Sequence, residues 1–139
     1  MKIEVIEDGG YDDVRQSLIA HVRDFNTDVI GDGRSRPLTV VAHDAGGVLV
    51  GGVSGRTIYG HYLIEVVWVA ESMRAQGLGA KLMNEAEREA RERGCYGAQV
   101  DTASFQAPGF YEKLGFRIIG TVEDFPRGHA RHFMQKNYE

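Results

Sequence analysis

A chain of 139 residues suits one domain with its own core, and no composition shift or low-complexity linker divides it, so a single domain over residues 1–139 is expected. Its 42% hydrophobic and 26% charged residues are ordinary for a globular protein, and no apolar run approaches the ~20 residues of a membrane span. The formal net charge of −4 argues against a protein that coats nucleic acid.

One cysteine, Cys95, leaves no intrachain disulfide and points to a reducing compartment. The opening residues lack the apolar stretch of a signal peptide, and a cytoplasmic protein is expected.

Lys2 to Ile6 alternates polar and apolar residues and reads as a half-buried strand. From Tyr11 to Phe25, Val14, Leu18, Ile19 and Val22 recur at helical spacing. Asn26 to Pro37 holds two glycines and a proline and is read as partly helical and mobile. Leu38 to His43 and Val48 to Val53 are strands joined by the hairpin signal Asp44-Ala45-Gly46-Gly47. Tyr62 to Ala70 is almost continuously apolar, as in a strand buried on both faces, except for Glu65 in its middle.

Leu78 to Arg93 is the clearest helix, with Leu78, Leu82, Ala86 and Ala90 on one stripe. Its other face carries Glu87/Arg91 and Glu89/Arg93 pairs that read as solvated, and Gly94 stops it. A short strand at Gly97 to Thr102 and a short helix at Ala107 to Leu114 follow. Two strands, Phe116 to Val122 and Ala130 to Gln135, end the chain. The order predicts a mixed α/β domain, a central sheet flanked by helices.

Arg74-Ala75-Gln76-Gly77-Leu78-Gly79 lies between a strand and the main helix. The first N–H groups of a helix have no internal partner, and the helix dipole adds partial positive charge there. Gly77 and Gly79 let a phosphate approach without a Cβ in the way. The nucleotide P-loop fails, because Gly79-Ala80-Lys81-Leu82 lacks Gly-Lys-Ser/Thr, and Leu82 stands where a dinucleotide fingerprint wants a small residue.

What remains, Arg-x-x-Gly-x-Gly after Val66-Val67-Trp68-Val69, resembles the signature of the GNAT superfamily of N-acetyltransferases. A second segment, Phe110-Tyr111-Glu112-Lys113-Leu114-Gly115-Phe116, lies about thirty residues further on and is similar to that family's second motif. The resemblance spans roughly Leu38 to Phe133. It implies a GNAT-like acyl-CoA N-acyltransferase fold and acetyl-CoA as co-substrate, without a metal. Its pyrophosphate would lie on Arg74, Ala75, Gln76, Gly77, Leu78, Gly79 and Ala80, and its pantetheine beside Val67, Trp68 and Val69.

Tyr111 would protonate the departing thiolate, for which a phenol is suited: its ordinary pKa of about 10 exceeds a thiol's roughly 8.5. Where the family often has an asparagine on the pantetheine, this chain has Ser104, and Ala75 replaces a frequent glycine.

Amide formation needs a neutral amine, so a base must take a proton from the acceptor. By strand alternation Glu65 lies on the face of Leu63, Val67 and Val69, beside the coenzyme in such enzymes. Burial there would suit a carboxylate to that role. Glu65 is therefore the candidate base, with a substrate-binding carboxylate or a structural ion pair as the other readings, and Asp101 and Glu123 as weaker substitutes.

A backbone N–H near Val69 would hold the thioester oxyanion, as the resemblance implies. Trp68 reads as core. The five histidines show no metal-ligand spacing, and Cys95 has no activating base, which argues against a thiol mechanism. The acceptor is expected to be a small-molecule or peptide amine, with no nucleic-acid or membrane partner. Homodimer formation, common in the family, would be sought at a sheet edge formed by Ala130 to Gln135. The competing reading is a non-catalytic acyl-CoA-binding or regulatory module that keeps the loop without a productive base.

Overall fold

A computed structural model describes residues 1–138, and within it the chain divides into two compact units, Met1–Gly33 and Arg34–Glu139. In the first unit, helix α1 (Tyr11–Ile30) carries Val14, Leu18 and Val22 on one stripe, with Asp12 and Asp13 in its first turn, where the dipole favours acids. It runs past Phe25 and stops at Gly31, whose N–H closes onto the Thr27 carbonyl with φ at 78°.

Residues 2–6 belong to no ladder, so the expected first strand is absent. Alternation marks which side chains would share a face. It does not supply the neighbour whose N–H and C=O groups make a strand.

The second unit is a six-stranded mixed sheet in the order β1-β2-β3-β4-β6-β5. Its strands are β1 (Arg36–His43), β2 (Leu49–Ile58), β3 (His61–Val69), β4 (Gly97–Ala103), β5 (Arg117–Glu123) and β6 (Ala130–Asn137). The β1–β2 turn is held by Asp44, whose Oδ1 accepts from Gly46 N and Val48 N at 2.9 Å each. All neighbours are antiparallel except β3 and β4. β6 lies between β4 and β5, so the C-terminal strand is interior and the edge strands of the sheet are β1 and β5. The edge expected at Ala130 to Gln135 is thereby corrected: the last strand returns between its predecessors.

Helix α2 (Leu78–Glu92) lays Leu82, Met83, Ala86 and Ala90 against Leu38, Val53, Tyr62 and Ile64 to form the core. Gly51 lets it approach, because a Cβ there would stand 3.1 Å from Leu82 Cδ1. Helix α3 (Pro108–Lys113) begins on a proline and is followed by Gly115 at φ 97°.

The far face of α2 differs from its sequence reading. Glu87 is 1% exposed and pairs with Lys136 of β6, Nζ–Oε2 3.1 Å. Arg93 donates to the Pro37 carbonyl at 3.0 Å and the Thr57 hydroxyl at 3.1 Å. Among the described residues of α2, Arg88 alone makes helix-surface ion pairs, with Glu85 and Glu92.

Breaking a buried pair strands the remaining charge. Lys136→Met is therefore expected to destabilise the domain by about 3 kcal/mol, read as a lower urea midpoint, and Glu87→Met in the same chain should restore most of it.

Candidate active site

The site begins where the sheet opens. β3 and β4 pair in parallel only at His61↔Gly97, Tyr62↔Ala98 and Leu63↔Gln99. Beyond that point β3 continues beside β2 to Val69, and β4 continues beside β6 to Ala103. The two strands therefore part, and their inner edges carry backbone groups that no ladder between them uses. One cleft lies on each side of this gap.

On the side of α2, a cleft of about 550 Å³ is lined by Val67–Val69, by the loop from Met73 to Ala80 apart from Gln76, and by Phe110, Tyr111 and Lys113. α2 opens into it without a side-chain cap: Gly77 precedes the helix at φ 79° and ψ 7°, and no side chain bonds the first N–H groups. An uncapped helix start facing a cavity is a site for an anion.

Ala75 is also left-handed, at φ 62°, a conformation that costs a residue with a Cβ about 1 kcal/mol and suits the glycine often found there in the resembling family. Arg74 Nε donates to the Val69 carbonyl at 3.0 Å, which ties the loop to the end of β3. Gly79 packs under Phe110, where a Cβ would meet ring carbons at 3.0 and 3.2 Å.

Tyr111 is 7% exposed, and its ring is held edge-on by Phe110 at 5.1 Å and by Phe116 at 5.8 Å between centroids. Burial, and secondarily the charge of Asp101, push its phenol above the ordinary value. The group stays protonated through neutral and moderately alkaline pH.

Across the sheet lies a second cleft of about 430 Å³, beside Glu65, Asp101, Gln99, Leu63, Ile119 and Phe133. A β-bulge puts Glu65 there. The β2–β3 register runs Gly55↔Ile64 and then Ser54↔Val66, so Glu65 is an extra residue on β3. Gly55 permits this, since any Cβ would collide with the Leu63 carbonyl oxygen.

The insertion flips the alternation. Tyr62 and Ile64 before it, and Val67 and Val69 after it, all pack toward the core. Glu65 therefore does not share the face of Val67 and Val69, and it is exposed where burial was expected. Trp68, expected in the core, is 45% exposed on the rim of the larger cleft.

Two other side chains of the expected site are engaged elsewhere. Ser104 Oγ accepts from Ala130 N at 2.9 Å, and the Ser104 N–H donates to the Ala130 carbonyl, so the residue stitches β4 to β6. Gln76 turns back to the Ser72 carbonyl. Neither lines the larger cleft. Glu123 closes the β5–β6 ladder opposite Ala130 and lines neither cleft. Cys95 is buried, which pushes its thiol up and away from a reactive thiolate.

Residues 8–116 match the family model described as the Acetyltransferase (GNAT) family. The chain belongs to that family. A blasticidin-S acetyltransferase of Streptomyces morookaense is 41% identical over 106 residues, 73% of this chain and 78% of the relative. An acetyltransferase of Agrobacterium fabrum is 33% identical over 125 residues, 90% and 88% of the two chains. Among solved structures, an acetyltransferase from Bacillus cereus superposes with a TM-score of 0.85 at 36% identity, covering 96% of this chain and 97% of that one.

Sequence reasoning about this GNAT domain passed over two charged residues. Lys113 lines the larger cleft, although a lysine in the last turn of a helix reads first as a dipole partner. Arg131 pairs with Asp101, because β6 sets Phe133 opposite Asp101 and Arg131 diagonally beside it. Only the strand order brings those two together.

Proposed function

We propose that this acetyltransferase moves an acetyl group from acetyl-CoA to a primary amine by direct attack within a ternary complex. One observation carries the reading: the uncapped start of α2 and the buried Tyr111 share a single cleft at the parting of β3 and β4. The N–H groups of residues 78–80, with Arg74 and Lys113 nearby, suit a pyrophosphate. The open edges of β3 and β4 suit an extended pantetheine arm that pairs with backbone. The thioester then lies at the gap, within reach of an amine on the side of Glu65.

In this reading Glu65 takes the ammonium proton, directly or through water, which frees the nitrogen lone pair. The C–N bond forms as the C–S bond breaks, Tyr111 gives its proton to the sulfur, and the second proton on the nitrogen leaves to water, from which the Tyr111 phenolate is reprotonated. The bulge makes Glu65 solvent-accessible, so its proton is readily passed on to water.

Calorimetry with acetyl-CoA, dephospho-CoA and NAD tests the coenzyme site, and an amine screen followed by thiol release tests the transfer. Selective acetyl-CoA binding with amine-dependent thiol release supports the reading. Binding with no turnover on any amine would favour a coenzyme-binding module instead, and no binding would overturn the reading altogether.

Glu65→Gln separates base from binding group. As base, its loss should lower kcat about 100-fold at neutral pH, with recovery as pH rises and the amine deprotonates unaided. A purely substrate-binding carboxylate would raise the amine KM and leave the shape of the kcat profile unchanged.

A further inference from the structure

The cleft beside Glu65 also limits which amine can be used, an inference that rests on the reading of the chain as an amine acetyltransferase. Its carboxylates are Glu65 and Asp101. Asp101 is already matched: Arg131 meets its two oxygens in parallel, Nε–Oδ1 at 3.2 Å and Nη2–Oδ2 at 3.1 Å. The guanidinium is also held between rings, its carbon 4.7 Å from the Phe133 centroid and 5.4 Å from that of Phe125. Opening this pair would forfeit two hydrogen bonds and both ring contacts together.

Glu65, in contrast, makes no side-chain hydrogen bond or ion pair among the described residues. Gln99 is neutral and already engaged with His61 Nδ1 at 3.3 Å. Leu63, Ile119 and Phe133 supply apolar wall. The cleft thus presents one uncompensated negative charge, an apolar surface, and a fixed cation where a second ammonium would otherwise find Asp101.

We propose that the acceptor is a small monocationic amine with an apolar or aromatic body, and that Arg131, by neutralising Asp101, turns away diamines and polyamines. Arg131 acts here as a positioning residue, through the charge it cancels. Specificity of this kind comes from a repulsive element as much as from an attractive one.

The test compares kcat/KM for phenethylamine and isoamylamine with that for cadaverine and spermidine, by thiol release. The wild type should prefer the monoamines roughly tenfold or more. Arg131→Met leaves Asp101 charged and free, and should move the preference toward cadaverine by roughly tenfold. Adding Asp101→Asn to that variant should restore the monoamine preference, which a general loss of structure would not do.

A wild type that favours spermidine, or an unchanged preference in Arg131→Met, would overturn the inference while leaving acetyl transfer intact. Absence of thiol release with every amine would instead sink the transfer reading, and this inference with it.

Discussion

Replacing Gly77 by glutamate should abolish acetyl-CoA binding at concentrations that saturate the wild type. Two effects combine. Gly77 sits at φ 79°, where a residue with a Cβ pays about 1–2 kcal/mol, and that strain would distort the loop from which α2 starts. The second effect is larger: a carboxylate would be fixed at the helix start proposed to hold the pyrophosphate, and like charges at close range cost several kcal/mol in a partly desolvated cleft. Together they should weaken binding more than 100-fold by calorimetry.

Steric exclusion contributes nothing, since a Cβ at Gly77 would meet nothing within 4 Å. Gly77→Ala is therefore the informative companion, carrying the strain without the charge, and about a tenfold loss is expected for it. The new glutamate should not unfold the helix, because an acid at its N-terminus favours the dipole. Wild-type affinity in Gly77→Glu would remove the loop from the coenzyme site.

The parts of the site that sequence made legible are those written within a few residues of one another. Arg74 to Gly79 is a strand-to-helix loop, and its glycines and following helix can be read locally. Tyr111 belongs to a short helix whose end is marked by Gly115, and the pair of motifs also carried the family. What escaped depends on registers between distant segments.

Strict alternation placed Glu65 beside Val67, but one extra residue between Ile64 and Val66 moved it to the other face. The glycine that permits the bulge, Gly55, lies on the neighbouring strand. Glu87 read as solvated because its partner Lys136 comes from the last strand, 49 residues away in sequence. The same crossing made β6 interior and brought Arg131 to Asp101. Lys2 to Ile6 had the pattern of a strand but no ladder to join.

Tyr111→Phe is the second large effect, expected to lower kcat about 100-fold with the acetyl-CoA KM little changed. The substitution keeps the ring that Phe110 and Phe116 hold edge-on and removes only the hydroxyl, so the melting temperature should stay close to that of the wild type. A merely packing tyrosine would tolerate it with kcat within about twofold, and that result would reject the general-acid role.

The pH dependence gives an independent check. Burial first, and the charge of Asp101 second, raise the phenol above its ordinary value of 10.0. A general acid works while protonated, so its contribution is complete below pH 10 and is lost only as pH rises through the raised value. The wild-type kcat profile should therefore show no alkaline fall below pH 10 from this group, while any rise at lower pH belongs to deprotonation of the base or the amine. An alkaline limb near pH 8 that disappears in Tyr111→Phe would mean that the phenol ionises far more easily than its buried, ring-clamped setting allows, and a different proton donor would have to be sought for the thiolate.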